Sequence, residues 1–358
     1  MSASRLHGLD FLRGIAIILV MLRHQPINEF SYHIGWIGVD LFFVLSGFLV
    51  ASILLKEQQD TGGTDVIRFL IRRGLKIYPV YYILYLPYIL IAIDPIDVNL
   101  VLADLFFLQN YFNGWGYAFP ASWSLAIEEH FYVLLALSFM LYNKSNLYLG
   151  KVKSSTPVFL GICLVIFVGC LLMRITSNAL NPDDFARNQT MTHLRLDSLI
   201  SGMLIAYLYR FQYEPLMRFV RKHKVPLGTT SIILLSWTPY LDVQTSVFVR
   251  TWGFTMLYVA FSLILLLFLS IETKQKSEEA SLKTGIAKIG IASYSIYLIH
   301  TFNNRVFDLI LKQIDMDLPS WMDFIITSTI SISLGILIKK YVEDFFLRIR
   351  DKRFPSRA

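Results

Sequence analysis

Charge is what this sequence has least of: only 16% of its 358 residues are Asp, Glu, Lys or Arg, against roughly 25% in an ordinary water-soluble domain. No stretch has the composition of a separate soluble unit. Cysteine is nearly absent as well. Its two copies, Cys163 and Cys170, share one apolar run, where small buried hydrophobes are a better reading than a disulfide or a thiolate metal site. Also missing are a His-Glu-x-x-His pattern, any other metal-ligand spacing, and a Gly-x-Ser-x-Gly nucleophile elbow. No metal is therefore expected, and no serine-hydrolase chemistry.

What is present is hydrocarbon. Apolar residues make up 55% of the chain, and runs near the roughly 20 residues needed to cross a layer about 30 Å thick recur along it. Ten spans are predicted, at 9–25, 35–55, 77–93, 120–142, 157–173, 196–209, 226–241, 251–271, 289–311 and 320–338. The fold class is thus an all-α polytopic bundle forming one domain over residues 1–358. Pro226 and Pro239 fray the seventh span. The first is not a cleavable signal peptide, because Asp10 and Arg13 interrupt it and no small-residue cleavage pattern follows.

A net charge of +7 and a pI of about 9.2 would raise nucleic-acid binding in a soluble protein. Here the distribution speaks for topology instead. Twenty-five Lys and Arg fall between spans on the side of the termini, five on the opposite side, and three within or at the edges of spans. Both termini are then cytoplasmic, and the expected partner is the lipid bilayer rather than nucleic acid. Two outer segments, 94–119 and 174–195, are longer than turns require. The apolar stretch 100–108 is too short to cross and predicts an interfacial or re-entrant cover over a site on the outer face.

Ionisable residues inside spans are costly, so each needs a reason. Arg13 and His24 are 11 residues apart, which puts them within about 20° of one helix face and about 16 Å apart along the axis. A snorkelling Arg and an interfacial His are the plain alternative. Asp40 opens the second span near the depth of His24, and Glu128 lies several residues deeper in the fourth. Either carboxylate can fix an imidazole tautomer or simply bond within a polar bundle core. Arg72, Arg73 and Lys76 stand at the cytoplasmic edge of the third span, suited to phosphate oxygens or serving as topology signals, the role assigned to Arg68. Ser46, Ser122 and Ser124 read as small residues at helix contacts. Trp115, Tyr117, Trp123 and Trp252 near outer span ends read as an aromatic belt, with sugar stacking as the alternative. His300, with Asn303 and Asn304, forms a polar patch that lines an acceptor path or bridges helices.

Several blocks carry a family likeness. Leu9-Asp10-Phe11-Leu12-Arg13-Gly14 with His24 comes first, then Gly38-Val39-Asp40-Leu41-Phe42-Phe43-Val44-Leu45-Ser46-Gly47-Phe48. Arg72-Arg73-Gly74-Leu75-Lys76-Ile77-Tyr78-Pro79 follows, and then Ser122-Trp123-Ser124-Leu125-Ala126-Ile127-Glu128-Glu129-His130-Phe131-Tyr132. Arg195-Leu196-Asp197 and Ser293-Tyr294-Ser295-Ile296-Tyr297-Leu298-Ile299-His300 are weaker matches. In this order, over about residues 8–346, they resemble the acyltransferase-3 family of membrane acyltransferases. Lys76 stands where that family usually has Arg. Glu343-Asp344-Phe345-Phe346 departs from a frequent Glu-x-Pro ending and is given no role. The outer esterase-like domain fused to some members is not expected here.

The resemblance implies acetyl transfer from acetyl-CoA, as co-substrate, to a hydroxyl of an envelope glycan or glycolipid on the outer side of a bacterial inner membrane. It casts His24 as the general base toward that hydroxyl. Glu128, rather than its neighbour Glu129, or else Asp40, would orient the imidazole. Arg72, Arg73 and Lys76 would hold the phosphates, and Arg13 would meet the pyrophosphate or hold the pocket together through Asp10. Three matters stay open: direct transfer or an acetyl-His24 intermediate, another acceptor or acyl donor, and a homo-oligomer. The rival class is a transporter of a glycan, lipid or acyl group that does no chemistry.

Overall fold

The computed structural model describes residues 7–92, 96–144, 152–272 and 285–357, and among these every regular element is helical. Helices stand at all ten predicted positions: α1 (His7–His24), α2 (Gly38–Thr61), α3 (Val66–Ala92), α4 (Trp123–Lys144), α5 (Val152–Leu180), α6 (Leu196–Phe211), α7 (Lys224–Leu235), α8 (Phe254–Glu272), α9 (Ser293–Gln313) and α10 (Ser320–Ile338). Six stretches are long and apolar enough to cross a membrane, and they contain all or most of α2, α3, α4, α5, α8 and α10. The other four fall short for physical reasons. The first carries Asp10, Arg13 and Arg23, and α9 carries Arg305, Asp308 and Lys312. α6 and α7 have only 16 and 12 residues.

Two helices are longer than the apolar pattern predicts. α3 begins at Val66 rather than near 77 because Arg68, Arg72, Arg73 and Lys76, although charged, are good helix formers. The basic block is therefore helical and not a loop. α5 likewise continues to Leu180 and carries Arg174 into the protein. Cys163 and Cys170 of this helix are buried free thiols.

Backbone contact joins α2 to α6. A methyl group on Gly47 would lie 1.9 Å from the Leu199 carbonyl oxygen, and one on Gly202 would lie 2.0 Å from that of Val44, so only glycine permits this approach. Two buried ion pairs flank the contact. Arg195 Nη2 lies 2.5 Å from Asp40 Oδ1, and Arg174 Nη1 lies 2.7 Å from Asp197 Oδ2. The Arg195 guanidinium also stacks 3.6 Å from the centre of the Phe254 ring, which joins α8 to the group. Charges this deep persist because each meets its opposite.

The apolar stretch at 100–108 contains most of an eight-residue helix, Val98–Leu105, capped by Asp97, whose carboxylate accepts the N–H groups of Asn99 and Leu100. Asp104 fastens it. Its carboxylate accepts the Tyr85 hydroxyl of α3 and the N–H groups of Tyr117 and Ala118. At the other end of the chain, α10 continues through a π-turn, Lys339–Glu343, into the helix Asp344–Arg353. Glu343, given no role from sequence, is buried and accepts the Ser295 hydroxyl of α9 at 2.9 Å.

Candidate functional site

Three cavities follow one another between the helices, each sharing wall residues with the next. The widest, about 1190 Å³, is lined by cations: Lys56 of α2, Arg68, Arg72, Arg73 and Lys76 of α3, and Arg210 of α6 among them. The middle one is about 80 Å³. It shares Arg13, Leu49, Arg73 and Lys76 with the first and adds Ser46, Glu128, Tyr132 and Ser293. The last, about 400 Å³, shares Val39 and Tyr297 with the middle one and holds His24, Asp40, Trp115 and Trp123.

In the basic cavity, Arg68, Arg72 and Lys76 recur every fourth residue and so share one face of α3. Arg68 pairs with Asp65 at 3.2 Å and Arg72 with Asp351 at 3.2 Å. Arg73 lies beside the rings of Phe69 and Tyr132, at 5.7 and 5.9 Å. Neither Arg73 nor Lys76 has an ion-pair partner among the described residues. Two cations held in no direct ion pair on the wall of this cavity suit an anion arriving from outside the protein.

The middle cavity joins four helices, α1 to α9 and α2 to α4, through polar bonds. Arg13 Nε donates to Ser293 Oγ at 3.2 Å, and Glu128 accepts the hydroxyls of Ser46 and Tyr132, both at 2.8 Å. Glu129 turns away to accept the Tyr78 hydroxyl. Of the neighbouring pair, Glu128 is thus the one that lines the path.

His24, the last residue of α1, is exposed to the third cavity. The structure brings Asp40 into that cavity, but Arg195 takes its Oδ1. Glu128 lies one cavity away, bound to Ser46 and Tyr132. Among the described residues neither carboxylate bonds to His24; its ring neighbour is His300. The two imidazoles meet with centroids 5.0 Å apart. The Nδ1 of His300 lies 2.7 Å from the Tyr297 carbonyl oxygen. A carbonyl only accepts, so Nδ1 carries the proton and Nε2 of the neutral ring is a bare acceptor. That Nε2 is buried with no hydrogen-bond partner among the described residues.

The polar patch on α9 therefore has two parts. His300 reaches His24, whereas Asn303 bridges helices by donating to the Thr327 carbonyl and to Ser331 Oγ of α10. The three serines are more than packing residues: Ser46 bonds Glu128, Ser124 bonds the Tyr297 hydroxyl at 2.7 Å, and Ser122 accepts from Gln109. Close packing falls to Gly47 and Gly202. Trp115 and Trp123 meet edge to face on the wall of the His24 cavity, while Trp252 is exposed. The same wall carries Trp36, Asp40 and Gln189, whose Nε1, Oδ2 and Oε1 are buried without partners among the described residues. Such atoms are uncommon in folded proteins and accumulate where a ligand binds.

The arrangement places cations in the first cavity, an imidazole in the last, and between them a small cavity that shares wall residues with both. Comparison with known proteins gives the family. A family model described as an acyltransferase domain matches residues 6–340. The peptidoglycan O-acetyltransferase OatA of Listeria monocytogenes is 28% identical over 316 residues, covering 82% of this chain and 48% of that protein. The O-acetyltransferase OatA of Staphylococcus aureus is 26% identical over 317 residues, covering 82% and 50%. The chain spans about half the length of the relatives it matches. No solved structure matches it. With its motif blocks in order and the model match running over nearly all of its length, the chain belongs to the acyltransferase-3 family.

Proposed function

We propose that this protein is a membrane O-acetyltransferase that takes the acetyl group of acetyl-CoA and passes it to a hydroxyl of an envelope glycan. One observation carries the reading: the basic cavity and the His24 cavity each share wall residues with the same small cavity of about 80 Å³. CoA has the matching shape, a charged nucleotide followed by a thin arm that ends in the thioester. Its phosphates would lie against Arg72, Arg73 and Lys76, and its arm would pass Arg13. About 16 Å along α1 from Arg13, the thioester would meet His24.

There His24 takes the proton of the acceptor hydroxyl while the oxygen attacks the thioester carbonyl carbon. The C–S bond then breaks, and His24 returns the proton to the departing CoA sulfur. Cations of the first cavity come from segments predicted on the terminal side, and Trp115, Gln189 and Gln244 of the third come from segments predicted on the other side. This supports a cytoplasmic entry for the donor, an outer entry for the acceptor, and an arrangement of ten helices in a bacterial inner membrane. The name of the Listeria relative makes peptidoglycan the first acceptor to try.

The test is release of free CoA from acetyl-CoA by the protein in lipid, with a crude envelope-glycan extract as acceptor. Native protein should show acceptor-dependent release and His24→Ala should not. Release untouched by the substitution would remove His24 from the mechanism. Absence of acetyl-CoA binding would favour a transporter.

A further inference from the structure

The chain beyond the family match folds back over the basic cavity. Helix Asp344–Arg353 and the residues to 357 lie across its mouth, where Arg350, Ser356 and Arg357 form part of the lining. Arg68 Nη1 donates to the Pro355 carbonyl at 3.3 Å, and Arg72 Nη1 donates to that of Phe354. Arg357 lies 3.6 Å from the Glu57 carboxylate.

The charges here do not balance. Nine Lys or Arg side chains line this cavity against two acidic ones, Asp10 and Glu57, and even with Asp60 and Asp65, which pair with Lys56, Arg210, Arg68 and Arg357 from outside the lining, the cations are in excess. Just beside the lining, a single carboxylate, Asp351, serves two guanidinium groups at once: Arg72 at 3.2 Å and Arg350 at 2.9 Å. Asp351 is itself more than half exposed. A carboxylate on the open side of two converging guanidinium forks holds the place a phosphate group would take, and a phosphate offers more acceptor oxygens and more charge.

Resting on the acetyl-CoA reading above, we infer that the C-terminal segment is a working wall of the donor site. Arg350 and Arg357 bind the nucleotide phosphates beside Arg72, and Asp351 is the internal anion those phosphates displace. The feature belongs to this chain's own residues after 340, outside the stretch that defines the family.

The experiment measures binding of CoA and of inorganic tripolyphosphate to the full chain in lipid nanodiscs. Arg350→Gln and Arg357→Gln should each weaken both probes by roughly tenfold, the usual cost of one charge-assisted hydrogen bond. Asp351→Asn should tighten both, because the competitor loses its charge. Arg357 is exposed, so its variant reports on binding even if Arg350→Gln perturbs the fold. Native affinity for both probes in the two arginine variants would overturn the inference and leave the acetyl-CoA reading standing. If the variants lose tripolyphosphate while native protein binds CoA no better than tripolyphosphate, the wall stands and the acetyl-CoA reading falls. If native protein binds neither probe, both fall.

Discussion

The imidazole of His24 meets that of His300 edge to face, with 5.0 Å between ring centroids and 63° between ring planes. Because His300 Nδ1–H is committed to the Tyr297 carbonyl, the ring presents an acceptor edge and not a donor. An N–H of His24 turned toward it would leave the other His24 nitrogen bare for an acceptor hydroxyl. His24→Ala should lower transfer by about 10²- to 10⁴-fold, the usual weight of a general base, with acetyl-CoA binding retained. His300→Phe keeps a ring but loses the lone pair. It should lower kcat about tenfold, the scale of one lost hydrogen bond, at unchanged KM for acetyl-CoA, and shift the ¹⁵N signature of the His24 tautomer. Unaltered kcat and tautomer would reduce His300 to a packing residue.

Asp40 of α2 and Arg195, the residue just before α6, are a buried pair. Removing one partner leaves an uncompensated charge, a loss of about 3–5 kcal/mol. Asp40→Ala should therefore lower the melting temperature in detergent sharply, and Asp40→Ala combined with Arg195→Met should recover part of the loss. An unchanged melting temperature in the single variant would contradict the pairing.

The glycine contact between α2 and α6 makes a cleaner structural test. A Cβ at Gly202 would press on backbone, which no rotamer change relieves. Gly202→Leu should yield no monodisperse protein on size exclusion. Gly161→Ala, where nothing lies within 4 Å of the added methyl, should elute as native.

Asp104 fastens the segment 96–119 through a titratable group. Burial raises its carboxyl above the ordinary 3.8, against the opposing pull of its hydrogen bonds from Tyr117, Tyr85 and Ala118. A carboxyl raised on folding holds more protons folded than unfolded between the two values. Its contribution is thus complete below 3.8 and is lost as pH rises through the raised value. Protection of residues 96–119 from limited proteolysis should be greatest at acid pH and fall over that window. Asp104→Asn should flatten the dependence, and an equal fall in both proteins would assign it to another group.

Apolar length put a helix at every one of the ten positions, because an apolar run must bury its backbone hydrogen bonds whatever its neighbours do, although only six stretches are long and apolar enough to cross a membrane. It missed the start of α3, since the cue was lack of charge while Arg72 and Lys76 propagate a helix as readily as Leu does. In the site, depth along each span was enough to set Asp40 beside His24 and Glu128 one cavity deeper. Spacing within α1 likewise put Arg13 and His24 on one path. Who bonds to whom was not legible. Asp40 meets Arg195 across 155 residues and His24 meets His300 across 276, and such pairings depend on helix rotation that no local pattern records. The sequence marked Arg195 only as a member of a weak motif, and His300 as that and as part of a polar patch whose partners were open.

In the proposed bilayer arrangement the middle cavity would also decide what else could cross. A route between aqueous vestibules on opposite faces would be a leak if it were wide, whereas the middle cavity is about 80 Å³ and carries Arg13, Arg73 and Lys76 against the single carboxylate of Glu128. A net positive charge at a constriction raises the barrier to cations and to protons. The same three side chains that would welcome a polyanionic donor would then keep the membrane electrically tight while the donor is away.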